Sequence, residues 1–301
     1  MPLKGLIIYN GFLTSPAFID FAIQLKNAGK KRKHHMTIKT NDDLLNVLSG
    51  SKTQTEAKAY DYVLFTDKDI YLARNLERAG LPVFNRPEAI EISDDKIRTY
   101  LTLAEKGLPI PKTYIAPLTF GQTLTKEDTY VKKVVKALGY PFIIKEAFGS
   151  FGEQVYLIHQ EEELEACLQQ IAGKPFLFQE FIHSSYGKDL RLQVVGGEVV
   201  AAMKRSANND FRANVTNGAR MEAYKPSRKE RDLAIKAVKA IGADFAGVDL
   251  LFGEGNERYV CEVNSNAHIR NLQEATSIDV APFIIEHIEK KIRREKICRD
   301  G

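Results

Sequence analysis

The sequence predicts a small α/β domain followed by a larger α+β unit, and three observations carry that reading. In the first ninety residues, short buried-strand patterns alternate with helix-length segments. At 108–117, "LPIPKTYIAP", prolines punctuate the chain. Beyond them, strand patterns come in pairs around short glycine turns with helices between the pairs.

The elements follow in order. "KGLIIYN" (4–10) reads as a buried strand, the segment up to Gly29 as a helix and "DYVLFTD" (61–67) as a second buried strand. "IYLARNLERAG" (70–80) reads as a helix stopped by Gly80, and "LPVFN" (81–85) as a third strand. Continuous apolar strands of this kind belong to a parallel sheet covered on both faces, which assigns residues 1–90 to one α/β domain. Ser93 is placed as the N-cap of a helix reaching Gly107, with Ile97, Tyr100, Leu101 and Ala104 on one apolar face, so that 91–111 is helix and linker. Residues 112–187 read as helix, strand "PFIIKEA", turn "GSFG", strand "EQVYLI", helix and strand "FLFQEFI". Residues 188–301 hold a hairpin around Gly196-Gly197, a polar stretch 206–218, a helix "SRKERDLAIKAVKAIG", a second hairpin around "GEGN", and a last helix near 278–295.

With 301 residues, 44% apolar and 27% charged, the chain has the composition of a globular protein with two or three sub-domains. No window has the apolar length of a membrane span, and the N-terminus runs into a strand pattern without a cleavage signature, so a cytoplasmic protein is expected. Three widely spaced cysteines, Cys167, Cys261 and Cys298, argue against a disulfide framework and a zinc site. Residues 1–90 hold 13 Lys+Arg against 9 Asp+Glu, whereas 91–301 hold 30 of each, so the net charge of +4 comes from the first ninety. Most of it lies in "KKRKHH" (30–35), which lacks the aromatic residues that stack on bases and reads as a solvated connection rather than a nucleic-acid site.

The chemistry begins in the second hairpin. Strand alternation puts Glu262 and Asn264 on one face, and Asp249 stands in the partner strand. Two carboxylates and an amide oxygen suit Mg²⁺ or Mn²⁺; the same residues also serve to cap a hairpin or meet basic partners. In "KEAFGSFGEQV" (145–155), Lys145 ends an apolar strand, and Gly149, Ser150 and Gly152 either present backbone N–H groups to phosphate or form an ordinary turn. "FQEFI" (178–182) either offers its backbone to a purine edge, with Asp189 beyond it for ribose hydroxyls, or is an edge strand facing solvent. The stretch 204–220 collects Arg205, Arg212, Arg220, Asn214 and Asn217, side chains suited to negative charge on transferring phosphoryl oxygens. No Ser-His-Asp or Cys-His set is evident.

In this order, Lys96, Lys145 with its glycine turn, "QEFI", "KDLR", the Arg/Asn stretch, "AGVDLLF" and "CEVNSN" resemble the ATP-grasp superfamily, most closely its RimK-like carboxylate–amine ligases, over about 90–295. The resemblance implies an ATP-grasp fold behind a pre-ATP-grasp domain, with a lid subdomain at 112–187 and a metal-binding subdomain at 188–301. It implies that Lys96 and Lys145 bind ATP phosphates beneath a lid formed by Gly149, Ser150 and Gly152. Glu180, Phe181 and Ile182 would lie at the adenine, Asp189 at the ribose, and Arg212 and Asn214 at the phosphates. Asp249 would hold one Mg²⁺ or Mn²⁺, Glu262 would bridge two, and Asn264 would hold the second. Arg205, Arg212 and Asn214 would serve catalysis, Arg205 by stabilising the transferring phosphoryl group.

The implied reaction joins a carboxylate to an amine through an acyl phosphate, releasing ADP and phosphate, the added unit being an amino acid such as glutamate or a peptide. A non-catalytic Mg·ATP-binding regulatory module is the alternative. A homo-oligomer is compatible with either. Relatives commonly continue the metal strand with a small residue and Ser-Pro-Gly, whereas this chain continues Ser265-Asn266-Ala267-His268, so the acceptor side is where it is expected to differ.

Overall fold

A computed structural model describes residues 2–48, 55–150, 152–213 and 218–300, the side chains of 295–300 excepted. The first sheet is parallel and ordered β2-β1-β3-β4, from β1 (Lys4–Tyr9), β2 (His35–Thr40), β3 (Tyr62–Phe65) and β4 (Val83–Phe84). Helix α1 (Pro16–Lys31) packs Phe21, Ala22 and Leu25 on one face of it, and α2 (Ile70–Arg78) packs Leu72 and Leu76 on the other. Two-sided cover explains why Leu6, Ile7 and Ile8 are all buried in succession.

Strand β2 was not anticipated. It is an edge strand whose Met36 and Ile38 alone turn toward the core, too weak a pattern to stand out beside the basic run. The basic run is itself only partly a solvated connection. Lys30 and Lys31 close the last turn of α1, where cations favour the helix dipole. Arg32 pairs with Glu286 and Glu289 on α9 (Ala281–Asp300), and the buried His34 ring lies 3.5 Å from Glu289.

The single helix expected over 93–107 is two. α3 (Pro87–Asp94) ends and α4 (Lys96–Glu105) begins at Asp95, whose carboxylate accepts from the N–H of Ile97 and Arg98. Asp95 therefore supplies the cap assigned to Ser93, and Ser93 instead sits buried with its hydroxyl 2.8 Å from Ser265 Oγ. The buried face of α4 is Thr99, Tyr100 and Leu103; Leu101 is 47% exposed.

A second, antiparallel sheet, β5-β8-β6-β7, is built from β5 (Thr113–Ile115), β6 (Phe142–Glu146), β7 (Val155–Ile158) and β8 (Phe176–Glu180). It is backed by α5 (Thr129–Leu138) and α6 (Glu161–Gln170), whose Val131, Val134, Leu164 and Leu168 meet Phe142, Ile144 and Phe178. The third sheet, β11-β10-β9-β12-β13, comprises β9 (Lys188–Val195), β10 (Glu198–Ser206), β11 (Arg220–Ala223), β12 (Phe245–Phe252) and β13 (Arg258–Asn264). Helix α7 (Arg228–Ile241) covers one face. A Ser227/Glu230 capping box starts it and Gly242, at φ 74°, ends it. The other face meets α8 (Arg270–Thr276), α9 and the first sheet in one continuous core. Strand β11 lies just past the polar stretch and was not anticipated. Among the described residues no helix is long and apolar enough to cross a membrane.

Asn85 joins the first and third sheets. Fully buried after β4, it donates to Phe245 O (2.8 Å) and Ser265 O (2.9 Å) and accepts from the N–H of Asp244 (2.8 Å) and Phe245 (3.2 Å). One amide thus satisfies backbone groups at the start of β12 and the end of β13. Asn85→Ala strands four buried backbone groups at once. It should lower stability by at least about 3 kcal/mol, read as a fall in the urea midpoint; an unchanged midpoint contradicts this role for Asn85.

Candidate active site

The last hairpin pairs Asp249 with Glu262 and then Leu250 with Val260, so Cys261 is one residue too many. This bulge lets Val260 and Val263 both enter the core against α7, while Cys261 and Glu262 between them turn to the opposite face with Asp249. Simple alternation in "YVCEVN" brings Glu262 near Asp249, but the regular register would set Cys261 opposite it; the bulge makes Glu262 the partner and turns Cys261 toward the site. Asn264, opposite Gly247, falls two residues beyond Glu262.

Asp249 is buried between two arginines. Arg191 contacts it through Nε and through Nη2 at 2.7 Å, and Arg205 Nη2 lies 2.9 Å away. Burial alone would raise the Asp249 carboxyl, but the two guanidinium groups outweigh it and hold the carboxyl below its ordinary value. Arg205 also grips the buried Asp189 with two bonds, 2.7 and 2.6 Å. Asp189, expected at a ribose, bonds to Arg205 in this structure. Arg191 had no expected role, although "KDLR" already puts it two residues from Asp189, on the same strand face.

Lys145, at the end of β6, points across from the second sheet to the third. Its Nζ donates to Tyr100 Oη (2.9 Å) and approaches Cys261 Sγ (3.7 Å). Burial opposes the ammonium, yet Cys261 and Tyr100 beside it leave the group above its ordinary value. Lys96, in the first turn of α4, donates to Gly149 O at 3.2 Å. Burial lowers its basicity; Glu262 opposes that, and the charges of Lys145 and Lys68 add to it.

The glycine turn is held by cations from three places. Besides Lys96, Lys68 Nζ donates to Ser150 Oγ (3.1 Å), and Arg212 Nη1 donates to Gly152 O (2.7 Å). Gly149 has φ 150°, and a Cβ there would come within 2.2 Å of Gln154 Oε1, which accepts from Ser150 N, so only glycine fits. Lys68, just beyond β3, had no expected role because nothing in the first domain marks it as a partner of the turn.

At the end of β8, Glu180 is exposed and accepts from Lys112 N. The Phe181 ring forms an aromatic corner with His183, Tyr186 and Phe211 at 4.7, 6.2 and 6.4 Å, and Ile182 O accepts from Ser185 N. Phe211 thereby brings the arginine stretch to this corner, where Arg212 pairs with Asp210. Asn214 lies outside the described residues.

Asp249, Glu262 and Asn264 form an oxygen-only donor set. Among the described residues the Glu262 side chain has no hydrogen bond or ion pair, so its carboxylate is open to a ligand; Asp249, though held by Arg191 and Arg205, keeps a lone pair free, and the set fits a hard divalent cation such as Mg²⁺. Past Asn264 the chain turns toward the first domain. Asn266 Nδ2 donates to Asp67 O (2.7 Å), Ala267 seats against Gly247, and the His268 ring meets Phe18 edge-on at 5.1 Å.

Comparison with known proteins agrees with this geometry. Residues 93–288 match the RimK-like ATP-grasp domain. The chain is 37% identical over 221 residues to a probable alpha-L-glutamate ligase of Methanococcoides burtonii, covering 72% of this chain and 70% of that one. It is 32% identical over 287 residues to a probable alpha-L-glutamate ligase of Psychromonas ingrahamii, covering 90% and 92%. The crystal structure of a RimK domain ATP-grasp protein from Sphaerobacter thermophilus superposes with a TM-score of 0.72 at 20% identity, over 94% of this chain and 98% of that one. The chain belongs to the RimK-like ATP-grasp family.

Proposed function

We propose that the protein joins a carboxylate to an amine at the expense of ATP, through an acyl phosphate, with an amino acid such as glutamate as the added unit. It is a ligase of the ATP-grasp class, forming carbon–nitrogen bonds; the relatives give a non-catalytic regulatory module no support. The observation that supports the residue roles is that Arg205 bonds to Asp249 and Lys145 approaches Cys261 beside Glu262, while Lys96 and Arg212 hold the glycine turn.

Lys145 and Lys96 donate to ATP phosphate oxygens, and as Gly149, Ser150 and Gly152 close over them, Lys96, Lys68 and Arg212 exchange their present bonds to the turn for phosphate oxygens. The adenine lies along Glu180, Phe181 and Ile182, Arg212 approaches the phosphates from the aromatic corner, and Asn214 is assigned to the phosphates by the family resemblance alone. The substrate carboxylate attacks the γ-phosphorus; the bond to the β,γ-bridging oxygen breaks and ADP leaves. The amine then attacks the acyl carbon, loses a proton, and expels phosphate. Phosphoryl transfer of this kind depends on positioning and charge neutralisation rather than on a side-chain nucleophile.

Asp249, Glu262 and Asn264 would hold two divalent cations, Mg²⁺ or Mn²⁺, which would neutralise charge on the phosphoryl oxygens. Arg205 faces the developing charge, and Asp189 fixes its guanidinium plane through two bonds. Among the described residues Nη1 of Arg205 is left without a bonded partner, so one edge of the fork is available to the transferring group. Ser265, Asn266, Ala267 and His268 border the acceptor. Burial lowers the basicity of His268 and the nearby Arg191 adds to this, so its ring is neutral at physiological pH.

The direct test is ADP and phosphate release with pairs of candidate acids and amines. Protein that binds Mg·ATP yet turns over with no pair in a broad panel overturns the proposal. Glu262→Gln should lower turnover at least about 100-fold while the melting temperature stays near wild type; near-normal turnover contradicts the metal role. Arg205→Lys keeps the charge but loses the two-bond fork. It should lower kcat about 100-fold with Mg·ATP affinity changed only a few-fold, and a loss confined to affinity would move Arg205 from the transferring group to nucleotide binding.

A further inference from the structure

The structure assigns a positioning role to Tyr100: it aims Lys145 at the nucleotide phosphates and pins the second sheet to the third. The phosphate role of Lys145 is taken from the proposed function; the assignment of Tyr100 rests on the geometry around it.

Tyr100 is 3% exposed, on the buried face of α4 one turn beyond Lys96. Its hydroxyl accepts from Lys145 Nζ at 2.9 Å and donates to the main-chain oxygen of Cys261 at 2.6 Å, with Gln179 Oε1 3.2 Å away. Gln179 is itself fixed, since its Nε2 donates to Thr113 Oγ1 at 2.8 Å. One hydroxyl thus touches β6, β8 and β13, and the oxygen it bonds on β13 belongs to the bulge residue immediately before Glu262.

An ammonium has three donors and no acceptor, and a buried one needs an acceptor to remain charged. Tyr100 takes one donor of Lys145 and Cys261 Sγ, a weak acceptor, faces another, which leaves a third for a ligand oxygen. A side chain without a hydroxyl at position 100 would leave both the Lys145 ammonium and the Cys261 carbonyl without their nearest partner. The phenol is therefore matched to the lysine and to the bulge together, and α4 carries Lys96 and the support of Lys145 on one short helix.

The experiment is calorimetric binding of Mg·ATP, Mg·ADP and adenosine to wild type, Tyr100→Phe, Lys145→Met and the double variant. Phenylalanine keeps the ring and its packing, so the fold is preserved. Tyr100→Phe should weaken Mg·ATP and Mg·ADP about tenfold, the scale of one charge-assisted hydrogen bond, and leave adenosine within about twofold. In the Lys145→Met background the same change should cost less than about twofold. Equal losses for adenosine and ATP, a tenfold loss persisting without Lys145, or wild-type affinity in Tyr100→Phe would each overturn the role of Tyr100 alone. Lys145→Met binding ATP like wild type would remove the phosphate role of Lys145, and this inference with it.

Discussion

Everything in the site is referred to one buried arrangement, the two aspartates and two arginines at the middle of the third sheet. Asp189 and Arg191 stand on β9, Arg205 on β10 and Asp249 on β12, and each carboxylate is paired. Burying Asp189, Arg205 and Asp249, with Arg191 half-buried beside them, is expensive, and apolar residues of equal volume often serve stability as well or better. The arrangement makes sense as orientation. It presents Asp249 ionised and in a fixed plane, and it holds Arg205 by one edge. Removing Asp249 would leave Arg191 without its partner, and removing either aspartate would leave Arg205 with one carboxylate instead of two, so these positions are bound to one another before any ligand arrives.

Around that centre the three sheets are joined by single side chains rather than by extended interfaces alone. Asn85 binds the first sheet to the ends of β12 and β13, and Tyr100 binds the second sheet to the bulge of β13. Both act on the strand that carries Glu262 and Asn264. The third tie, Asn266 to Asp67, continues the same strand into the first domain. A strand held at its bulge, its end and its continuation has little freedom left, which suits ligands that must meet substrate oxygens at fixed distances.

Much of this was legible in the sequence where periodicity and chemistry coincide. The apolar runs at 5–8, 142–144 and 245–251 mark their strands, and the short "GEGN" turn brings Asp249 and Glu262 close across a hairpin, although only the bulge sets them opposite each other. Three kinds of feature were not legible. The bulge at Cys261 obeys backbone geometry and leaves no mark in the residue types. The break at Asp95 is a cap placed between two helical patterns that otherwise join. Tyr100 and Lys68 act on residues 45 and 82 positions away, and no local pattern tells a core tyrosine from one that supports a lysine. Asp189 shows the remaining difficulty: the residue order singles out an acid, but only the fold shows that Arg205 bonds to it.

The seat of Ala267 has a consequence for how the acceptor side can be re-engineered. A Cβ on Gly247 would meet Ala267 Cβ at 2.6 Å and Arg191 Cδ at 3.1 Å, so the floor under Ser265–His268 is bare backbone with no room for a new side chain. Diversity in that wall has to enter from the facing domain, where Asn10 holds Asp67, Asp67 holds Asn266, and Phe12 and Leu13 stand exposed beside them. A library aimed at a different amine should therefore be built at residues 11–15, beyond the buried strand β1 and far in sequence from the glycine turn and from Asp249, Glu262 and Asn264.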